Sequence, residues 1–480
     1  MMRTSLRLAG LGSLVRWMGI SLVVLCGLPA QDSWPTYMHD NRRSGVVQSP
    51  LKFPLKAAWT RHSQVSPRTA WTNPAPWDSY ARKVGLTPMR LFDKAFFVTT
   101  VGDSVWFGSS VDHGVHCLDA ASGKERWVFF TDGPVRLPPT FASGRLYFGS
   151  DDGFAYCVDA GSGEQVWKVR GAPADKSRQL PKDGAVGAMW PVMTGVLVDS
   201  GRAWFGASLL PWEKSYFCAV DAETGSFEGE GRFRRETSGM TLQGAMLASA
   251  TMVYTPQGRL APARFDKIEG KSLGTVGNQK QGGVYALLTP DSHLIHGRGV
   301  FKGGVTESAP ANKDVLVTYE GGRSIIVTEE RSYLLKQKEL VCINRAQLFD
   351  LRVNRREIAG RHGAAKKAYD FERKQKAKNE PKINELRQSL LTVGKELDEN
   401  ARGQERCLLW TAKTSHPHSM IMVGDYLVCG GDGEVVIVDK EQGKVRWRAD
   451  VDGRAEGLAA ADGRVYVSTD SGTIHAFATR

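Results

Sequence analysis

Short, largely apolar segments bounded by turn-forming residues recur along most of the chain. Residues 115–118 and 435–438 are two such segments, and residues 144–149 place apolar and aromatic side chains between two glycines. Segments of this length between glycines and aspartates are typical of buried β-strands joined by tight turns. The pattern therefore predicts a succession of short antiparallel strands, interrupted only where the composition changes between residues 345 and 406.

A nine-residue pattern follows these segments and identifies the chain as a repeat protein. It consists of Asp, three residues, Gly, three residues, and a closing Trp or Gly. The five copies are Asp119/Gly123/Trp127, Asp159/Gly163/Trp167, Asp221/Gly225/Gly229, Asp266/Gly270/Gly274 and Asp439/Gly443/Trp447. Asp accepts backbone hydrogen bonds at a turn, Gly adopts the positive φ of hairpin turns, and Trp fills the space between packed sheets. These positions are therefore predicted to be structural.

The spacing of these anchors counts the repeats. The first four lie 40, 62 and 45 residues apart, Asn344 and Ala478 are further anchors, and one degenerate unit is expected near residue 305. The last unit ends before its Trp-bearing strand, whereas residues 55–59, ending in Trp59, form an orphan strand near the N-terminus. Pairing the two ends closes a ring without exposed edges. The predicted fold is all-β, an eight-bladed β-propeller, with seven blades as the alternative.

The motifs carry a family resemblance. Three motifs follow one another along the repeats: Gly-x-x-Tyr-Phe-Gly, Tyr-x-x-Asp-Ala and Gly-Lys-x-x-Trp. This series resembles the PQQ-like repeat of quinoprotein-type β-propellers, and residues 144–167 are the clearest copy. The resemblance covers the chain after the N-terminal segment, except for one insertion, and is weakest between residues 275 and 340. It is specific for the fold and uninformative about activity.

The N-terminal segment predicts export. Arg3, Arg7 and Arg16 precede the apolar residues 17–28, and a small residue stands before Gln31. This is the layout of a cleaved signal peptide over residues 1–30, so the mature protein is expected in the periplasm or outside the cell. The apolar run is too short for a confident transmembrane helix, and no later segment is longer.

The insertion occupies residues 345–406 and divides the propeller into residues 31–344 and 407–480. Its Ile383, Leu386, Leu390, Val393 and Leu397 follow a heptad spacing, and Pro381 suits a helix start. An antiparallel helical hairpin is predicted, because both ends must meet at one β-turn. The hairpin is expected to contact a protein partner or an anionic surface, with a solvated, merely decorative loop as the alternative.

The net charge of +12 does not indicate a nucleic-acid-binding protein. The signal segment contributes +3, and the insertion, with 16 basic and 10 acidic residues, contributes +6. The propeller is left nearly neutral, so nucleic acid is not an expected partner. The oligomeric state is left open.

Six cysteines follow the signal segment. Cys117, Cys157 and Cys342 stand two residues before the anchors of separate units, which predicts small buried side chains and no disulfide between them. A single bridge among Cys218, Cys407 and Cys429 is left open.

The resemblance implies PQQ on the propeller axis with bound calcium, an Asp base, a stacking Trp and adjacent cysteines. This chain has no adjacent cysteines and no haem-attachment motif. The sequence is therefore interpreted as a non-catalytic binding or protein-interaction scaffold, with no cofactor, no catalytic residue and no metal site. Two alternatives remain: a PQQ- and calcium-dependent quinoprotein oxidoreductase, and a cell-envelope or outer-membrane protein assembly factor.

Innermost strands line the axis of a propeller, and the residues that lead into them gather at one mouth. Repeat register places six residues there as a candidate binding site: Arg136, Trp190, Gln243, Glu307, His416 and Glu456. The connection between residues 61 and 93 is long and rich in Pro and Trp. It is expected to pack against the propeller, with a lid over one face and a pocket lined by Trp71 and Trp77 as the alternative.

Overall fold

The computed structural model describes residues 32–71, 91–176, 178–182, 185–258, 260–276, 282–297, 304–309 and 315–479. Within these residues the chain forms eight four-stranded antiparallel blades around one axis, and the inner strands of several neighbouring blades contact each other. The all-β propeller with an inserted helical hairpin is therefore confirmed, with eight blades. The signal segment 1–30 lies outside the described residues.

Each of the first four blades consists of consecutive strands, numbered outward from the axis. They are β3 (Val98–Val101), β4 (Ser104–Gly108), β5 (Gly114–Asp119) and β6 (Glu125–Phe130); β7 (Thr140–Ala142), β8 (Arg145–Gly149), β9 (Phe154–Asp159) and β10 (Gln165–Arg170); β13 (Leu197–Asp199), β14 (Arg202–Ala207), β15 (Ser215–Asp221) and β16 (Phe233–Thr237); and β17 (Leu247–Ala248), β18 (Met252–Thr255), β19 (Ala263–Asp266) and β20 (Ser272–Thr275). A 3₁₀ turn (Ala174–Lys176) and a hairpin of β11 (Gln179–Lys182) and β12 (Ala185–Ala188) connect the second and third blades.

The remaining blades complete the ring. They contain β21 (Tyr285–Leu288), β22 (Leu294–Gly297), β23 (Gly304–Ser308) and β24 (Val315–Glu320); β25 (Ser324–Val327), β26 (Arg331–Leu335), β27 (Glu339–Asn344) and β28 (Leu408–Lys413); β29 (Ser419–Val423), β30 (Tyr426–Gly430) and β31 (Asp432–Asp439); and β33 (Arg464–Thr469) and β34 (Thr473–Ala478). The long strand β32 (Val445–Ala461) is the outer strand of the seventh blade and then the inner strand of the eighth.

The N-terminal region closes the ring. Strand β2 (Lys56–His62) pairs antiparallel with β34 and supplies the missing outer strand of the eighth blade. A second short strand, β1 (Val46–Val47), pairs parallel with β29 at the axis of the seventh blade. Joining chain ends in one sheet removes the free strand edges that would otherwise invite aggregation.

The repeated motif joins each blade to the next. Trp167 of the second blade packs on Gly225 of the third, where an added Cβ would lie 2.9 Å from its ring. The Trp167 indole N–H donates to the Ala222 carbonyl at 3.0 Å. Trp59 and Trp410 repeat this contact on Gly123 and Gly443. The glycine is therefore required for its positive φ and for the neighbouring ring.

The third repeat keeps this contact with another residue. Its motif closes with Gly229 instead of Trp, and Phe233, four residues later, packs on Gly270 of the fourth blade. The aromatic wedge is thus shifted along the chain and retained in space.

The anchor aspartates close the turns. The Asp159 carboxylate accepts hydrogen bonds from the backbone N–H of Gly161 at 3.0 Å and of Ser162 at 2.8 Å. The Ser162 backbone bond is the main reason that the pKa of Asp159 lies below its usual value. The lowered pKa means that this stabilisation is complete above the unfolded value of about 4 and is lost as pH falls.

We expect Asp159→Ala to lower the free energy of unfolding by about 1 kcal/mol at neutral pH, as for loss of a capping side chain. Urea unfolding at pH 7 and pH 3 measures this, and the difference from wild type should shrink at pH 3. Asp175→Ala, at an exposed aspartate 4.0 Å from Lys176, is the matched control. An equal loss in both variants would contradict the turn-closing role.

The six described cysteines are buried and unpaired, so the structure contains no bridge among Cys218, Cys407 and Cys429. Burial raises the pKa of the Cys218 and Cys429 thiols to about 12. Because the thiolate is the reactive form, these side chains act as small apolar residues.

The insertion enters at the turn after β27. Helix α1 (Arg345–Lys374) and helix α2 (Glu380–Arg406) form an antiparallel hairpin. Asn344, the anchor of this repeat, accepts a hydrogen bond from the Gln347 N–H and so caps α1. The Asn344 N–H donates to the Cys407 carbonyl at 2.8 Å, which brings both ends together. No helix of the described chain is long and apolar enough to cross a membrane.

Candidate functional site

The residues that lead into the inner strands surround an axial cavity. Its volume is about 690 Å³, within the range of pockets that bind small molecules and cofactors. The walls come from the inner strands of several blades and from three irregular stretches within residues 34–38, 67–71 and 91–98. The described part of the long connection therefore contributes to the cavity wall, which the sequence had offered only as the alternative to packing against the propeller.

One wall of the axial cavity is aromatic. Tyr37 and Phe97 pack edge to face, with ring centroids 5.3 Å apart. The Trp71 ring lines the same cavity, and its indole N–H donates to the Gln243 side-chain oxygen at 2.8 Å. This bond fixes the orientation of a large flat side chain at the cavity. Trp77 lies outside the described residues.

Polar residues with both signs of charge line the same cavity. The Lys94 ammonium lies 3.2 and 3.1 Å from the two carboxylate oxygens of Glu456. The His418 ring lies beside this pair, with Nδ1 3.8 Å from Glu456 Oε1 and Nε2 3.0 Å from Asp432 Oδ1. Lys94, Glu456 and His418 thus bring a cation, a carboxylate and an imidazole together at the cavity.

The hydrogen bonds of His418 assign its tautomer. Asp432 accepts from the Nε2–H, whereas the buried Nδ1 has no hydrogen-bond partner among the described residues. A neutral ring held in this way carries a lone pair on Nδ1, which faces Glu456. Nδ1 can therefore receive a proton from the carboxylate side.

A second ion pair lies at the edge of the cavity. The Arg454 guanidinium donates to Asp470 at 2.7 Å, and the Arg454 backbone N–H donates to the same carboxylate at 2.7 Å. Burial alone would raise the pKa of Asp470, but these bonds outweigh it and lower the pKa. The hydrogen bond to Asp470 raises the pKa of Arg454. Both groups therefore stay charged.

Arg136 holds in place the described ends of the long connection between residues 61 and 93, which is called the covering segment below. Its guanidinium lies 2.7 Å from Asp93 and 2.6 Å from Asp151, and it donates to the Arg68 carbonyl at 2.9 Å. Asp93 also accepts from the Ala70 N–H at 2.6 Å. Burial raises the pKa of Asp93 despite the neighbouring guanidinium. Burial would lower the pKa of Arg136, but the two carboxylates raise it.

The structure separates the six residues that repeat register placed at the mouth. Glu456 lines the axial cavity. Arg136 and Gln243 hold the covering segment. Trp190 donates to a backbone carbonyl of the third blade at 2.6 Å, and His416 bonds a carboxylate of the seventh blade at 2.8 Å. Neither of these two lines the cavity, and whether the set binds a ligand stays a prediction.

The predicted position of Glu307 is wrong. It lies on β23, the third strand of its blade, near the turn between β21 and β22, whereas the cavity lies where β21 begins. The degenerate fifth repeat misplaced the inner strand by one hairpin. Glu307 instead accepts hydrogen bonds from His293, Tyr319 and Arg345 at 2.9, 2.9 and 2.6 Å.

The same cluster contains a set of donors with metal-ligand spacing. Asp291, His293 and Glu307 present ligand atoms within 4.8 Å of one another, and it is the one such group among the described residues. The Arg345 guanidinium lies 2.8 Å from Asp291 and 2.6 Å from Glu307. A cation is thus already supplied by the first residue of α1, and the cluster ties the insertion to the fifth blade.

Sequence reasoning missed Lys94 and undervalued His418. Lys94 stands in irregular chain shortly before β3, where repeat register gives no guidance. His418 lies two residues beyond His416 and immediately precedes β29. Side chains two residues apart in extended chain point to the same side, so His418 could have been considered together with His416.

Comparison with models of protein families shows to which family the chain belongs. The family model described as "Outer membrane protein assembly factor BamB", a PQQ-type repeat family, matches residues 66–253 and 396–480. The chain belongs to this family. The matched residues include neither residues 254–344 nor most of the helical insertion.

Curated relatives of this BamB-family chain include enzymes. The alcohol dehydrogenase (quinone) dehydrogenase subunit of Acetobacter aceti is 31% identical over 144 residues, 27% of this chain and 18% of that protein. The 1-butanol dehydrogenase (cytochrome c) of Thauera butanivorans is 25% identical over 261 residues, 51% of this chain and 32% of that protein. The chain therefore spans less than a third of the length of these relatives.

Solved structures share the fold. A europium-containing methanol dehydrogenase superposes with a TM-score of 0.56 and 11% identity over 94% of this chain and 98% of that chain. BamB from Moraxella catarrhalis gives a TM-score of 0.50 and 11% identity over 89% of this chain and 100% of that chain. At this identity the likeness concerns the fold alone.

Two expectations require correction. The interpretation as a non-catalytic scaffold is wrong, because the matching curated relatives are quinone alcohol dehydrogenases and a butanol dehydrogenase. The expectation of no cofactor is wrong for the same reason, since quinone stands in the names of these relatives.

Proposed function

We propose that this protein is a quinoprotein-type oxidoreductase that holds PQQ in the axial cavity and oxidises an alcohol. The single observation that carries the proposal is the composition of that cavity, which combines aromatic rings with cationic and carboxylate side chains. The curated relatives named above support the reaction class. Their partial coverage makes the substrate and electron acceptor part of the proposal.

The cavity residues fit a planar, anionic quinone. The aromatic faces of Trp71 and Phe97 suit a flat ring system, and both line the cavity. Lys94, Arg323 and Arg454 line the same space and would hold carboxylates of the cofactor.

The described residues do not fit a divalent cation at this cavity. The two carboxylates that line this cavity, Glu456 and Asp470, are each paired with a cation, Lys94 and Arg454, and these cations would repel a divalent ion. Calcium prefers several oxygen ligands that are free to converge on one point. We therefore derive no step through a metal, and the Lys94 ammonium is the resident positive charge beside Glu456.

Bound PQQ would supply the chemistry of accepting a hydride equivalent from the alcohol carbon. The protein contributes orientation and proton transfer. Glu456 accepts the hydroxyl proton of the substrate, and one bridging water would relay it to His418 Nδ1, which lies 3.8 Å from the carboxylate. Asp432 keeps the imidazole in the required tautomer, and Lys94 fixes the carboxylate.

Calorimetric titration of the purified protein with PQQ tests the proposed function. We expect binding in buffer containing a chelator, and we expect added calcium to change the dissociation constant less than about threefold, because the site supplies its own cation. Lys94→Met should weaken binding, whereas Lys124→Met, at an exposed turn, should not. Absence of PQQ binding with and without calcium would contradict the proposed function. Binding only with calcium would contradict the metal-free site.

Export belongs to the same proposal. The basic residues and apolar run of residues 1–30 support a signal peptide, and a periplasmic or secreted location suits an envelope family. Mass spectrometry of the mature protein should find Gln31 as its first residue. An intact N-terminus in the exported fraction would contradict cleavage at this point.

A further inference from the structure

The helical insertion separates its charges between base and tip. We define the hairpin tip as residues 366–387, the last turns of α1, the connection, and the first turns of α2. The tip contains eight Lys and Arg against four Asp and Glu. It therefore carries much of the positive charge of the insertion at the end that points away from the propeller.

Basic residues near the base are already engaged. Arg345 pairs with Asp291 and Glu307, Arg356 donates to the Val315 carbonyl of the fifth blade, and Arg361 pairs with Glu396 on α2. These contacts dock the first turns of α1 on the propeller and hold the two helices together. These guanidinium groups are therefore already paired with groups of the protein itself.

Most basic residues of the tip are not engaged in this way. Lys382 pairs with Glu372 at 3.4 Å, and Arg373 lies over the Tyr369 ring at 5.7 Å. The other lysines have no ion pair among the described residues and are exposed: Lys366, Lys367, Lys374, Lys376 and Lys378. These unpaired positive charges repel one another and so destabilise the folded state. A bound anion would reduce this repulsion.

An exposed aromatic side chain stands among these lysines. Phe371 is 66% exposed, on the last turn but one of α1. An apolar ring surrounded by lysines suits insertion below a layer of anionic headgroups, where the ring leaves water and the ammonium groups stay at the surface. An acidic protein surface would satisfy the lysines but would not by itself require a protruding ring.

The reach of the hairpin allows this contact. A helix of 30 residues is about 45 Å long, and α1 has 30 residues. Its buried residues are Arg345, Leu348 and Ile358, all in the first half. The second half therefore extends beyond the packed base and can meet a flat surface without obstruction by the blades.

We propose that the hairpin tip is a docking site for an anionic phospholipid membrane, with Phe371 as the inserted side chain and the tip lysines as the headgroup contacts. Clusters of four to eight basic residues bind anionic membranes in a salt-sensitive way. Each basic residue near the surface strengthens the binding about fivefold. The membrane contact is independent of the axial cavity, so it does not depend on the proposed catalytic function.

Sedimentation of the full-length mature protein with lipid vesicles tests the proposal. We expect binding to vesicles of phosphatidylglycerol and phosphatidylethanolamine, loss of that binding at high salt, and no binding to phosphatidylcholine alone. Lys367→Gln, Lys374→Gln, Lys376→Gln and Lys378→Gln together should lower the partition coefficient by about a thousandfold. Phe371→Ala alone should lower it by about tenfold.

The matched controls keep the total charge and exposed area equal. Lys52→Gln, Lys124→Gln, Lys271→Gln and Lys444→Gln together remove four exposed lysines from the propeller, and Ile268→Ala removes a side chain that is 74% exposed. These variants should bind vesicles as the wild type does. Unchanged melting temperatures establish that all variants fold, which the exposure of every altered side chain leads us to expect.

Several outcomes would overturn the proposal. Wild-type protein that stays in the supernatant with anionic vesicles would do so, as would equal loss of binding in tip and control variants. Equal binding to phosphatidylcholine would show an unspecific apolar contact. Binding to soluble polyglutamate without binding to vesicles would assign the tip to an acidic protein partner instead.

Discussion

Replacing Arg136 with methionine is expected to lower the free energy of unfolding by about 3–5 kcal/mol, the usual cost of removing one partner from a buried ion-paired group. The reason is the pair of carboxylates left behind. Asp93 and Asp151 have side chains only 1% and 10% exposed, and each has one oxygen with no hydrogen-bond partner among the described residues. Chemical denaturation at neutral pH measures the loss.

Arg126 provides the matched control. It also bridges two aspartates, Asp103 and Asp119, at 2.9 and 2.6 Å. Here the side chains of Arg126 and Asp103 are 33% and 80% exposed, so water can solvate the carboxylates when the guanidinium is removed. Arg126→Met should therefore leave the free energy of unfolding almost unchanged. Equal losses in both variants would contradict the role assigned to burial.

The loss in Arg136→Met should depend on pH with a defined sign. Burial already raises the pKa of Asp93, and removing Arg136 takes away the charge that opposes this shift. The folded variant then holds a proton that the unfolded chain releases above about pH 4. Its free energy of unfolding therefore falls as pH rises. The difference from wild type should be smaller at pH 5 than at pH 7.

The fold could be read from the sequence because each part of the repeated motif has a local physical reason. Asp159 satisfies backbone donors of its own turn, and Gly225 is the surface on which the preceding Trp167 packs. Such requirements recur at fixed spacing and leave a pattern. The orphan strand carrying Trp59 was recognisable for the same reason, because it completes the last copy.

The candidate site could be predicted only in part, because several of its residues lie outside the repeated units. Glu456 follows from register, as it stands where an inner strand begins. Lys94 and Trp71 reach the cavity through an irregular connection whose path depends on contacts with Arg136 and Gln243. Contacts between residues more than 100 positions apart, such as Trp71 and Gln243, leave no local pattern.

The misplacement of Glu307 shows the limit of register. The fifth repeat lacks a recognisable anchor, so one hairpin was assigned to the wrong position within its blade. The chemistry was nevertheless informative, because a buried glutamate requires partners. It finds them in His293, Tyr319 and Arg345, and the last of these belongs to the insertion.

The second large effect is expected in catalysis. Glu456→Gln should reduce kcat for alcohol oxidation with an artificial electron acceptor by about a hundredfold or more, as for loss of a general base. The amide keeps the shape of the side chain but cannot accept the substrate proton. Its lost negative charge should leave PQQ binding intact or tighter, because the cofactor is anionic. Steady-state kinetics beside PQQ titration separates these two properties.

His418→Gln should also lower kcat while leaving PQQ binding intact, because the ring acts behind Glu456 and does not hold the cofactor. His416→Gln is the matched control. His416 forms the same kind of carboxylate pair, at 2.8 Å from Glu434, two residues away in sequence and outside the axial cavity. A shift of the pH dependence of kcat in His418→Gln alone would support proton transfer through this ring. Equal kinetics in both histidine variants would restrict His418 to a structural role and leave Glu456 to release its proton directly to water.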